Sequence, residues 1–183
     1  MINIKRYVTL AIKEVDCMLN DEIELKKGLN EDVVKEISKI KDEPEWMRNF
    51  RLKSYETFKN MPMPSFGPKL DIDFNNITYY KRINDKVFNN WESVRCDVKN
   101  TFDSVGLIDA ENKYLGGVGA QYDSETVYHN MLDDIKKAGI IFTDTDTALR
   151  EYPELFKKYF NNLVNYKENK FTALNGCVWS GGS

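Results

Sequence analysis

Histidine is nearly absent from this sequence and cysteine is scarce: one His and three Cys stand among 183 residues. Metal centres and acid–base catalysis draw heavily on both types, so His129 would need partners of other kinds to serve either. Cys17, Cys96 and Cys177 are odd in number and about eighty residues apart, which forms neither a disulfide framework nor a zinc pattern. Reduced thiols are expected. Long apolar runs are missing too. No stretch approaches the roughly 18 to 20 residues of a membrane span, and the amino end lacks the apolar block and cleavage signature of a secretory signal. The expectation is a cytoplasmic protein without a membrane partner. An excess of positive charge is also lacking, since the net charge is -3 and the pI about 5.4. That leaves no global basic field to gather nucleic acid or anionic lipid. Within the first sixty residues twelve Lys and Arg are interspersed with twelve Asp and Glu, the pattern of a solvated helical surface.

What is present suffices for a folded core. Apolar residues make up 42%, charged residues 30% and aromatics 13%, the composition of a globular protein somewhat rich in Tyr and Phe. Residues 3–19 carry Val8, Ala11, Ile12, Val15, Met18 and Leu19 at helical spacing, which predicts a first amphipathic helix. Asn30 can cap a helix with Glu31 and Asp32 in its first turn and Val33, Val34, Ile37 and Ile40 on one stripe. Pro44 stops that helix and is well placed as the first residue of the next, whose Trp46, Met47, Phe50, Tyr55 and Phe58 give a broad aromatic face. Three prolines between Pro62 and Pro68 predict an extended connector. Ile77 to Ile83 is β-prone, and Asp97 to Val105 reads as a short helix ending at Gly106. Asp123 or Ser124 is expected to cap a helix carrying Val127, Tyr128, Met131, Leu132 and Ile135 up to Gly139. "GIIFTD" then reads as a short buried strand, Ala148 and Leu149 followed by Pro153 to Leu163 as one more helical stretch, and Phe171 to Trp179 as a strand. The expected class is α+β, mainly helical with a few short strands.

Chemistry is harder to place. "LGGVGAQYDSE", Leu115 to Glu125, lacks the third glycine of a dinucleotide fingerprint and any Walker lysine. Close backbone packing at a turn between helices explains it better. Tyr122, Glu125 and His129 form a candidate ligand site within Gly117–His129, with Glu125 four residues before His129 and on the same face of a helix; a structural histidine with satisfied hydrogen bonds is the competing reading. No G-x-S-x-G elbow supports a hydrolytic triad. Asp144 and Asp146 resemble part of a calcium loop, but the sixth position is not Gly and the twelfth is Leu155. The cysteine spacing does not provide the clustered thiolates of iron–sulfur ligation. The aromatic helix 46–58 could recruit a partner through Trp46 and Phe50, or its rings could be core.

Several runs do resemble a known family. "KKGLNEDVVKEISKIKDEPEWMRNFRLKSYETF", Lys26 to Phe58, is similar to the amino-terminal helical segment of SufB, the scaffold subunit of the SUF iron–sulfur cluster assembly system in the SufB/SufD family. The likeness continues through "MPMPSFGPKLDIDFNNITYY", "VKNTFDSVGL", "GVGAQYDSETVYHN", "IIFTDTDTALREYPELFKKYF" and "NKFTALN" to "VWSGGS". It covers nearly all of this sequence and less than half of a family chain. The resemblance implies a variable extension over 1–25, a helical domain over 26–170, and over 171–183 the truncated start of a parallel β-helix core. Residues 171–183 are therefore expected to fray, or to pair with a neighbouring molecule or another part of the domain to satisfy their backbone. The first twenty or so residues, "SVRCDV" and Cys177 depart from the family pattern, which makes the cysteines look incidental.

The family's cluster-building Cys, His and Glu residues fall beyond this stretch. The resemblance thus implies no catalytic, cofactor-binding or metal residue between positions 1 and 183, and no cluster held by this segment alone. For the full complex it implies an iron–sulfur cluster and, in some systems, a reduced flavin. It also implies SufD and the ATPase SufC as partners, docking mostly through regions beyond this stretch, and a cysteine desulfurase as sulfur source. The expected role is a scaffold and not an enzyme, with ATP hydrolysis belonging to SufC.

Overall fold

The computed structural model describes residues 22–183. The helix expected over 3–19, and Cys17 with it, lies outside the described residues. The chain divides into two compact units, one made of Glu24–Lys81 and Thr145–Gly181, the other of 82–144 with 22–23 and 182–183.

The first unit is a helical assembly. Helix α1, Glu31–Ile40, starts where its cap predicts: Asn30 is extended and its side chain accepts from the Val33 N–H at 2.9 Å, satisfying one of the orphan donors of the first turn. Val33, Val34 and Ile37 form its buried stripe. Helix α2, Glu45–Asn60, begins one residue later than expected, because Pro44 with ψ 155° is its N-cap and not its first turn. A proline ring fixes φ but leaves ψ free to stay extended. The proline-rich connector after Met61 carries no regular element before a short 3-10 turn, Phe74–Asn76. Of the β-prone segment 77–83 only the two-residue strand β2, Lys81–Arg82, forms, beside β1, Ile23–Glu24.

The strand expected over Phe171–Trp179 is instead a helix, labelled α8 below and spanning Lys170–Val178. Asn169 builds a capping box: its side chain accepts from Phe171 and Thr172 N–H, and Thr172 Oγ1 accepts from the Asn169 N–H. These bonds outweigh the β-preference of Phe171, Thr172 and Val178. Ala173, Gly176 and Cys177, spaced three and one apart, form the buried face against α2. A Cβ on Gly176 would lie 2.6 Å from Ser54 Oγ, so the missing side chain lets the two helices approach closely. Residues 171–178 therefore do not fray but satisfy their backbone within a helix, and Ala173 and Cys177 sit in the core with Val34, Tyr55 and Phe58.

Arg51, in the middle of α2, is fully buried. Its guanidinium grips the Glu43 carboxylate in a bidentate fork, Nε to Oε2 at 2.7 Å and Nη2 to Oε1 at 2.6 Å. It also donates to the carbonyls of Cys177 and Trp179, each at 2.9 Å, and lies 4.7 Å from the Trp179 ring centroid. Two short helices, α6 Thr145–Glu151 and α7 Pro153–Tyr159, close this unit around Met47, Leu149 and Trp179. Trp46 and Phe50 of α2 are half-buried there, against Phe156 and against Phe160 and Tyr166. The rings proposed as a recruiting surface are thus packing partners.

The second unit holds α3, Cys96–Ser104, which ends as expected at Gly106 in the left-handed conformation, φ 76°. A helix that the sequence reading did not anticipate, α4 Leu107–Tyr114, follows at once. Next comes the largest correction. The helix expected from Asp123 or Ser124 to Gly139 is a β-hairpin, β3 Gly117–Tyr122 and β4 Glu125–Met131, antiparallel, with Asp123 at φ 53° in the turn. Only α5, Asp133–Lys137, remains helical before Gly139. Gln121 opposes Thr126 while Ala120 opposes Tyr128, so Val127 is the extra residue of a bulge. That bulge buries Thr126, Val127 and Tyr128 in succession, a pattern that breaks strand alternation and imitates a helical stripe. "GIIFTD" is not a strand, and its apolar pair is not buried: Ile140 and Ile141 are 55% and 54% exposed, whereas Asp144 at its end is buried. The unit's core joins Val118, Ala120 and Val127 to Ile83, Trp91, Val94 and Val98.

Candidate functional site

The hairpin brings together polar groups far apart in sequence. Glu111 on α4 faces Tyr128 and Asn130 on β4, which share one side of the strand because side chains alternate. Trp91 reaches the same point from a 3-10 turn, Trp91–Ser93, whose cap Asn90 accepts from the Glu92 N–H at 2.9 Å. Three neutral donors converge on the carboxylate: Trp91 Nε1 to Oε2 at 2.6 Å, Tyr128 OH to Oε1 at 2.6 Å, and Asn130 Nδ2 to Oε1 at 3.0 Å. The Trp91 and Tyr128 rings stack with centroids 3.9 Å apart. Burial and the neighbouring Glu111 hold the Tyr128 phenol well above its ordinary pKa, so its hydroxyl remains a donor.

A carboxylate offers about four lone-pair sites. Three are filled here, leaving one on Oε2. Among the described residues Glu111 has no Lys or Arg ion-pair partner. Beside it lies a cavity of about 520 Å³, lined also by Asn89, Asn112, Gly116, Gly117 and Leu132, within the size range of small-molecule pockets. The arrangement can hold a hydrogen-bonding ligand of positive charge. It presents no nucleophile beside a base.

The residues singled out in the sequence fall elsewhere. Tyr122 pairs with Glu125 at the turn end of the hairpin, and His129 pairs with Gly119 three rungs away, roughly 10 Å along the strands. The structure does not bring the three together, and no helix places Glu125 beside His129. His129 lies on the side of β4 opposite to Tyr128 and Asn130. Its ring contacts Phe142 at 4.7 Å between centroids, and its buried Nε2 has no hydrogen-bond partner, which corrects the reading of a satisfied histidine. Burial lowers its pKa, with Lys136 acting in the same direction and Asp144 opposing. The glycines of the 115–125 run do pack closely, as expected, but along a strand. A Cβ on Gly117 would lie 2.9 Å from the Phe142 ring, and one on Gly119 2.9 Å from Ser183 Oγ.

Asp146 binds Lys41 Nζ at 2.7 Å. Among the described residues no group of three His, Cys, Asp or Glu is placed to hold a metal ion, and no helix is long and apolar enough to cross a membrane. Sequence reasoning missed Glu111, Trp91 and Asn130, because they meet only through the hairpin and through a helix that it did not anticipate.

No family model matches the sequence and no solved structure matches the fold. Curated proteins do match. The chain is 54% identical over 158 residues to an iron–sulfur cluster assembly SufBD family protein of Staphylococcus saprophyticus, covering 86% of this chain and 34% of the relative. SufBD family proteins of Staphylococcus haemolyticus and Staphylococcus aureus match at 53% identity with the same coverage. The chain spans about a third of the length of these curated relatives.

Proposed function

We propose that this chain is the amino-terminal region of a SufBD-family protein and serves iron–sulfur cluster assembly as part of a scaffold. The observation that carries the reading is the identity of more than half the residues across 158 positions with proteins named for that process. Within the proposal the SufB-like role is preferred to the SufD-like one, on the motif run from Lys26 to Phe58. The segment acts as a folded support and not as an enzyme. ATP hydrolysis belongs to a SufC partner, SufD or a second family chain completes the SufBCD complex, and sulfur comes from a cysteine desulfurase. The cluster and any reduced flavin are held by parts of the complex outside these residues.

A chimera tests the reading. The segment of the Staphylococcus saprophyticus relative that aligns with this chain is replaced by this chain's sequence, and the activity of an iron–sulfur enzyme is measured in cells lacking the native protein. Restored activity supports the proposal. A chimera that accumulates to normal levels yet restores nothing overturns it. Separately, anaerobic reconstitution of the 183-residue chain with iron and sulfide is expected to give no stable visible chromophore; a stoichiometric one would overturn the claim that these residues hold no cluster.

A further inference from the structure

The geometry points to a binding site for a small organic ammonium ion in the Glu111 cavity, independent of the assembly role. Four observations carry it. Glu111 is anchored by three neutral donors that fix its position without neutralising its charge. The remaining lone pair of Oε2 suits one further donor, which favours a single N–H of an ammonium over the paired donors of a guanidinium. Asn89 and Asn112 line the same cavity, and the side chains of both are without a hydrogen-bond partner among the described residues. Their amide oxygens supply acceptors for the other two N–H groups. Ile108, Leu115 and Leu132 line it as well, offering apolar contact to a short alkyl chain.

A divalent metal ion is the poorer occupant. Hard cations take six or more oxygen ligands, usually with several carboxylates, whereas the acidic residues lining this cavity are Glu111 and Glu92 alone, and Glu92 is occupied by Lys99 Nζ. A neutral polar ligand would leave the Glu111 charge uncompensated in a partly desolvated site. An alkylammonium ion answers charge, donor count and rim together.

The site contains its own reporter, since the Trp91 indole N–H donates directly to the carboxylate that would receive the ligand. The 183-residue chain is titrated with n-butylammonium chloride while the Trp91 Nε1–H resonance, assigned with Trp91→Phe, is followed by ¹H–¹⁵N correlation spectroscopy. The expected result is a saturable displacement that n-butanol, sodium chloride and magnesium chloride do not reproduce. Glu111→Gln should weaken the apparent affinity at least about tenfold, and Asn112→Ala, at an exposed position, several-fold with an unchanged spectrum elsewhere. Absence of a saturable displacement would overturn the proposal. So would an equal response to n-butanol or to magnesium, or an affinity unmoved by both substitutions in proteins whose remaining spectrum is native. The chimera experiment does not bear on this outcome, and its failure would leave this site standing.

Discussion

Replacing Arg51 by Met isolates the polar centre of the helical unit. The side chains of Arg51 and Glu43 are both fully buried, so truncating the guanidinium strands a carboxylate with its charge intact. Breaking a buried pair in this way costs about 3 to 5 kcal/mol. The Cys177 and Trp179 carbonyls lose their charged donor as well, at about 1 to 3 kcal/mol for a group left unsatisfied. The contributions share one network and do not add fully, so a total near ~4 kcal/mol is expected, a large part of the ~5 to 15 kcal/mol that holds a domain folded. The double variant Arg51→Met/Glu43→Leu removes the stranded charge but leaves the two carbonyls bare, and should recover about half of the loss. Urea unfolding followed by tryptophan fluorescence and far-ultraviolet circular dichroism measures both, with the midpoint and slope read separately. A loss under about 1 kcal/mol in the single variant, or a double variant no more stable than the single, would refute the view that buried Arg51 joins the Glu43 carboxylate and the end of α8 in one polar centre.

Gly176→Ala should destabilise by about 1 to 2 kcal/mol, because overpacking against Ser54 and Tyr166 exceeds the roughly 1 kcal/mol that alanine gains in a helix; adding Ser54→Gly should raise the urea midpoint again. Cys177 is fully buried and burial pushes its thiol up to about 12, so in a Cys17→Ser/Cys96→Ser background it should not react with a disulfide reagent at pH 8 until urea unfolds the protein. Stoichiometric labelling of the native form would contradict that burial. For His129 the folded pKa is lowered, so the unfolded state binds the proton more readily. Its stabilising contribution is complete above pH 6.5, the ordinary value, and is lost as pH falls from there through the lowered folded value. Thermal midpoints between pH 7.5 and 5 should therefore fall less steeply in His129→Gln than in the unsubstituted protein, and parallel curves would count against the assignment.

Legibility varied with how local the determining interactions are. Asn30, with acidic residues behind it and an apolar stripe at helical spacing, specifies α1 from ten neighbouring residues. Gly106 and Gly139 mark helix ends because their positive φ is cheap only for glycine. The hairpin was misread because Val127, Tyr128 and Met131 fit a helical stripe, and the bulge at Val127 hides the two-residue alternation by burying three residues in a row. The α8 segment was misread for the opposite reason. Its β-prone residues are conspicuous, while the small residues Ala173 and Gly176 that dock it on α2 have value only once α2 is beside them.

By itself the sequence determined the likeness to the SufBD proteins, the Asn30 cap of α1, the end of α3 at Gly106, and the lack of a cysteine or histidine cluster, all of which rest on residue identity and near neighbours. The tertiary structure alone decided that Glu111 gathers Trp91, Tyr128 and Asn130, that His129 turns to the other face of its strand, and that Arg51 closes on the end of α8. Each of those depends on groups up to 128 positions apart, and only the folded chain makes them neighbours.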